Sequence, residues 1–351
     1  MKTVAVMALE DGMQLAEDIV VGDKVAIRKG TKIDHLVKTK LEAFKLFTVE
    51  ILEAEDLAET YYEKLRVSEA FKQFQLNYNA NLAAYKVAVD SFIYKKVPFR
   101  FEDLKAIANA LCPDSISGKR LFSYINIMLH DEADMTYAHG VNVALICKKM
   151  GKWLRLSDEE QELLLFSGFL FDIGKFMLPN DIIWKPGKLN KMEFDLIKTH
   201  AFYGYHMLSK FGINDRILNA TLMHHERGDG SGYPQGLSRE DIDPMASMVA
   251  IADVYEAMTS ARTYREPMNP YQVVEIIKDD MYLKYDIAII TTFLNHILDE
   301  MIGNDVKLSN GMLGEVIMNN SGALGRPVVK CKDGTIVDLS QQRDIKILEL
   351  I

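Results

Sequence analysis

Residues 224–237 read H-H-E-R-G-D-G-S-G-Y-P-Q-G-L. Two adjacent histidines, His224 and His225, close an apolar run at 217–223 and read as metal ligands delivered from a helix end. The glycine-rich loop after them reads as a nucleotide cradle. Glycines let backbone approach a ligand closely, and Tyr233 offers a flat face to a base. Four further residues of ligand type lie in apolar settings: His139, Asp172, His200 and Asp253. A lone histidine there is more often a satisfied core residue. The two aspartates are harder to dismiss, because an unpaired carboxylate in an apolar run is expensive and a bound cation offsets the cost. Imidazole with carboxylate suits divalent iron, manganese, zinc or nickel better than calcium. The remaining histidines, His35, His130, His206 and His296, have no such setting and read as surface or core.

The elements that must position these residues are mostly helical. From 114 to 302 the pattern is helix after helix with short polar joints, including 191–210, 213–225 and 244–262, and more within 269–302. Asp158 is expected to cap the apolar run that follows it, and Ser238 the next short stretch. Residues 56–113 read as a helical connector, with apolar positions near helical spacing from Leu57 to Val89 and punctuation by Pro98 and Pro113. Residues 1–55 read as a small α+β module with no cluster of chemical residues. Strands are expected at 14–20, 23–27 and 48–52, with Asp34 capping a short helix whose apolar positions are Val37, Leu41, Phe44 and Phe47. The last segment, 303–351, reads as a small β unit with strands at 314–318, 327–331 and 345–351. The expected fold is therefore mainly α: an all-helical domain between a small N-terminal α+β module and a small C-terminal β segment.

Composition narrows the partners. A net charge of −9 argues against generic binding to large nucleic acids, which needs basic surface. Cys112, Cys147 and Cys331 are far apart, so neither a disulfide framework nor a cysteine zinc site is indicated. No apolar stretch reaches the length of a membrane span, and the expected location is the cytoplasm. The helical connector leaves a homodimer open. The N-terminal module reads as a place for regulation, with a signalling protein as its partner.

On these motifs, 114–302 resembles the HD-GYP family, a branch of the HD metallohydrolases that hydrolyses cyclic di-GMP. The resemblance is carried by H-G-V-N-V at 139, F-D-I-G-K at 171, L-P-N-D-I-I-W-K-P-G-K-L at 178, T-H-A-F-Y-G at 199, the whole of 224–237 and I-A-D-V-Y-E-A-M-T-S-A-R-T-Y-R at 251. It implies a first metal held by His139, Asp172, Asp253 and the histidine of a His-Asp pair. It implies a second on Asp172, His200, His224 and His225. Two such ions activate and orient a water for attack at phosphorus. Lys175 would face the scissile phosphate, Arg262 and Arg265 would grip ligand phosphates, and Gly232 and Tyr233 would frame a guanine. The product would be the linear dinucleotide or GMP.

The chain departs from this pattern at one position. Phe171 stands where the family has the histidine of the pair, and phenylalanine cannot ligate a metal. Met135 stands where some members carry a glutamate for a third metal. The loss of a ligand would cost roughly one to three orders of magnitude in affinity or activity, by analogy with losses around a site. Two outcomes stay open: a weakened hydrolase with two ions, or a domain with one ion or none that binds cyclic di-GMP without cutting it and acts as receptor or scaffold.

Overall fold

The computed structural model describes every residue except 184, 186, 262–266, 279–280 and 321. The chain forms two compact units, Met1–Lys72 and Gln73–Ile351.

In the first unit, β1 (Lys2–Ala5), β2 (Gln14–Leu15), β3 (Ile19–Val21), β4 (Lys24–Ile27), α1 (His35–Ala43), β5 (Thr48–Leu52), α2 (Ala54–Leu57) and α3 (Tyr61–Val67) follow in order. β5 runs antiparallel between β1 and β2, and β3 pairs with β4 as a separate ribbon. Leu15, Ile33, Leu41, Val49 and Ile51 fill its core. Asp34 caps α1 as expected, its side chain accepting from Val37 N at 2.7 Å. The helix ends before Phe47, which is exposed. The strand expected over 14–20 is two strands in different sheets. The chain turns between them at Ala16–Asp18, where Asp18 accepts from Lys29 N at 2.6 Å.

In the second unit, α4 (Glu69–Lys95, entering from the first unit), α5 (Phe101–Leu111), α6 (Gly118–Ile127), α7 (Met135–Trp153), α8 (Asp158–Leu170), α9 (Asn180–Ile183), α10 (Lys191–Ser209), α11 (Asp215–Met223), α12 (Pro244–Thr259), α13 (Pro270–Ile277), α14 (Met281–Lys284) and α15 (Ile287–Asp299) build the helical body. The fold is mainly α. Ser157, not Asp158, caps α8, in a reciprocal box with Glu160. Asn190 and Glu193 start α10 the same way. Ser238 makes no cap hydrogen bond to backbone.

α7 and α8 form the centre, and α11 and α12 pack on them. Gly168 lets the two central backbones meet, since a Cβ there would lie 2.6 Å from Ala144 Cα. Val141, Ala144, Leu145, Ile146 and Cys147 of α7 have no solvent exposure. A small antiparallel sheet closes the chain, β6 (Asp305–Leu308), β7 (Leu313–Met318), β8 (Val328–Cys331), β9 (Ile336–Asp338) and β10 (Ile347–Leu350), in the order β10-β6-β7-β8-β9. Burial alternates along β6, placing Val306 and Leu308 inside. β6 and β9 were not expected from sequence. Among the described residues, no helix is long and apolar enough to cross a membrane.

Candidate metal centre

Asp172 sits at the end of α8, where the helix gives way to the tight turn Ile173–Met177. That turn packs on α10 through glycines: a Cβ on Gly174 would lie 1.9 Å from the carbonyl oxygen of His200. Gly204, one helical turn on, also has no room, with Thr221 Cγ2 at 2.8 Å. The close approach brings Asp172 against His200 of α10 and against His224, just past the end of α11. Asp172 Oδ1 lies 3.3 Å from His200 Nε2 and 3.6 Å from His224 Nε2. Asp172, His200, His224 and His225 each direct one donor atom into a cluster whose atoms all lie within 4.8 Å of one another.

The hydrogen bonds around this cluster fix which ring nitrogens are free to bind. His200 Nδ1 lies 2.6 Å from Ile197 O, and His224 Nδ1 lies 2.9 Å from Thr221 O. A carbonyl only accepts, so each Nδ1 carries the proton and each Nε2 carries a lone pair. The two Nε2 atoms face each other across 3.2 Å. Asp172 Oδ1 beside them is buried and accepts no hydrogen bond. Lone pairs that converge on a buried carboxylate oxygen with no donor between them suit a divalent cation. The residues fit such an ion.

A second group lies on the other side of Asp172. His139 Nε2 of α7 stands 3.0 Å from Asp253 Oδ1 of α12 and 3.4 Å from Asp172 Oδ2. Its Nδ1 stands 2.7 Å from Glu256 Oε2. Glu256 is itself held by Asn142 and Ser260, at 2.8 and 2.6 Å. Tyr78 donates to Asn142 at 2.7 Å, which ties α4 to this network. Lys175 donates to Asp172 Oδ2 at 2.5 Å. Where a metal ligand histidine is expected, the Phe171 ring is fully buried, edge-on to His139 and His224, with centroids 5.4 and 4.9 Å away.

Charge states follow from this packing. Burial opposes the charge of Asp172, yet Lys175 and the neighbouring histidines hold its carboxyl well below the ordinary range. Burial works against a charged His139 too, but Glu256 and Asp253 raise its pKa to about 10. Burial lowers His200 to about 4 and keeps His225 well below its usual value, so both are neutral, the state in which an imidazole can bind a metal. His139 holds Glu256 down at about 2 against its burial.

The glycine loop closes one side. Glu226, buried, accepts from Gln235 N and Leu237 N at 2.7 and 3.0 Å. Gly232 is pressed onto the backbone of Glu226 and Arg227, where a Cβ would meet Arg227 N at 2.3 Å. The Tyr233 ring stacks on His225, centroids 4.6 Å apart and planes 29° apart. On the other side a groove of about 230 Å³ is lined by His139, Asn142, Lys175, Asp253, Glu256 and Ser260, among others.

His139, Asp172, Lys175, His200, His224, His225 and Asp253 thus converge, with Gly232 and Tyr233 beside them. Arg262 and Arg265 lie outside the described residues. Sequence reasoning missed Glu226 and Glu256. Glu256 carried a signal, being a carboxylate in an apolar run one turn after Asp253.

Residues 124–289 match the family model described as the HD domain. That segment of the chain is thus an HD domain. It is 34% identical over 211 residues to a cyclic di-GMP phosphodiesterase, PA4108 of Pseudomonas aeruginosa, covering 60% of this chain and 50% of that one. It is 37% identical over 150 residues to 3'3'-cGAMP-specific phosphodiesterase 1 of Vibrio cholerae, covering 43% of this chain and 35% of that one. The chain spans half or less of the length of these two relatives. In fold it is similar to Bd1817, described as an HDG"Y"P protein, from Bdellovibrio bacteriovorus. The TM-score is 0.50 at 19% identity, over 85% of this chain and 98% of that one.

Proposed function

We propose that this HD protein is a metal-dependent phosphodiesterase acting on cyclic di-GMP, slowed by Phe171. The observation that carries the reading is the donor set of buried Asp172, His200 and His224 with half-buried His225, and Lys175 beside it. A divalent ion held there supplies Lewis-acid polarisation of a phosphoryl oxygen and lowers the pKa of water. The protein's own groups do the rest. The partly exposed Lys175 reaches the groove as a point charge for phosphoryl oxygens. The glycine loop presents Gly232 and Tyr233 toward a guanine, and Arg262 and Arg265 bind phosphates. The names of the relatives support a cyclic dinucleotide as substrate. The first unit, with its own core and no metal-ligand cluster among its described residues, serves as a regulatory module.

One observation favours a second reading. Phe171 removes a donor and puts a fully buried ring beside His139, which suits a receptor that binds cyclic di-GMP without turnover. The deciding experiment uses protein purified without oxygen, supplied with Mn²⁺ or Fe²⁺, and incubated with cyclic di-GMP and, separately, 3'3'-cGAMP. Products are resolved by chromatography. Metal-dependent cleavage that favours cyclic di-GMP is the expected result. Binding without cleavage selects the receptor, and faster cleavage of 3'3'-cGAMP overturns the substrate assignment.

A further inference from the structure

The Asp172 carboxylate is divided between two kinds of partner. Oδ1 faces the Nε2 atoms of His200 and His224 and accepts no hydrogen bond. Oδ2 is taken by Lys175 Nζ at 2.5 Å, with His139 Nε2 at 3.4 Å. A carboxylate that bridges two ions gives one oxygen to each, and here only Oδ1 is available. The other residues expected around a first ion are engaged with one another. His139 meets Asp253 at 3.0 Å and Glu256 at 2.7 Å, and the second Glu256 oxygen accepts from Asn142 and Ser260. Phe171 fills the remaining space with hydrocarbon, edge-on to His139 and to His224. An ion set against that ring would have one donor fewer and an apolar wall, which makes its charge costly to bury.

We infer that this chain binds a single divalent cation, on Asp172 Oδ1, His200, His224 and His225, and that Lys175 supplies at Asp172 Oδ2 the positive charge a first metal ion would supply. The residues do not fit the first metal that the HD-GYP resemblance implies. The inference rests on reading the His/Asp cluster as a metal centre, but not on any nucleotide being cut.

The test counts metal. Full-length protein is stripped with chelator, titrated with Mn²⁺ by calorimetry, assayed for bound metal by mass spectrometry and examined by electron paramagnetic resonance. One equivalent and the signal of an isolated ion are expected. His139→Ala should keep that equivalent at unchanged affinity. His200→Ala should lose it, since removal even of a group supporting a ligand costs roughly 10–100-fold in affinity. Phe171→His should add a second equivalent and a spin-coupled pair. Circular dichroism confirms that each variant is folded, and the count on the unaltered chain decides without any variant. Two equivalents there, a coupled signal, or loss of the ion in folded His139→Ala overturns the inference. A Phe171→His chain that stays at one equivalent removes Phe171 as the cause. One ion without turnover refutes only the enzyme reading; two ions with turnover refute only this inference.

Discussion

Glu226 ties the beginning of the glycine loop to its end, accepting two loop amides while the backbone beneath Gly232 stays too close for any side chain. In Glu226→Ala those amides lose their acceptor, at a cost of about 1–3 kcal/mol for unsatisfied donors. If the loop holds a guanine, the affinity for cyclic di-GMP falls by about tenfold or more, since 1.4 kcal/mol is a factor of ten. Calorimetry with cyclic di-GMP checks this, and an unchanged dissociation constant would sever the loop from nucleotide binding. Much of the site was legible at this scale. Asp172, Asp253 and the histidines stood out as polar residues in apolar runs, where only a partner or an ion makes burial tolerable. Glu226 did not, because its role consists of what it holds, two amides nine and eleven residues away; Glu256 carried the same signal as Asp253, but its partner, an imidazole on another helix, was not legible. Phe171 was legible as a missing donor, but not as a ring that touches both halves of the site.

Secondary structure transmits these positions through a few close approaches. The turn after α8 reaches α10 only because Gly174 has no Cβ. Gly174→Ala drives a methyl into the His200 carbonyl, and overpacking against backbone costs at least about 3 kcal/mol, the upper end of the usual range. The expected result is a lower denaturation midpoint together with loss of the bound metal, because Asp172 and His200 move apart. A variant of normal stability that still binds one equivalent would show that the approach is not what sets the ligand geometry. A second contact between elements joins α13 to the closing sheet. Glu275 pairs with Arg326 at 3.1 Å and with Lys346 at 3.6 Å. Burial raises its pKa, but Lys278 and Arg326 outweigh that and the net shift is downward. A depressed carboxyl contributes stability above its unfolded value of 4.5, and that stability is lost as pH falls through the lower folded value. Glu275→Gln should therefore destabilise at pH 7 by about 1 kcal/mol, the scale of a well-placed ion pair, and the difference should vanish in acid, below the depressed folded value. Urea unfolding at the two pH values checks it, and a difference that persists in acid refutes the ion pair as its source. Helices were the legible elements, since long amphipathic runs with capping residues announce themselves. β6, β9 and the break after β2 were not. Strands of two to four residues give too few alternations to read, and the break after β2 lies beside an Asp18 contact to Lys29 eleven residues away.

Across the whole molecule, the two units differ in what a metal can do for them. Met1–Lys72 has its own core of Leu15, Ile33, Leu41, Val49 and Ile51, while the one metal-ligand cluster among the described residues lies wholly in Gln73–Ile351. An ion that binds the folded state stabilises only the structure that must form for the ligands to meet. At a free concentration 100 times the dissociation constant the gain is about 2.7 kcal/mol, which slows the most protected amides of that structure by roughly 100-fold. Hydrogen–deuterium exchange with and without Mn²⁺ reads this directly. The amides of α8, α10 and α11 should slow together, because Asp172, His200, His224 and His225 sit on or just past these helices and fraying of any one separates the donors. The amides of β1, β5 and α1 should exchange at the same rate in both conditions. Equal slowing in the first unit would mean that metal binding and the folding of 1–72 are linked, and the module would then report the state of the metal centre instead of standing apart from it.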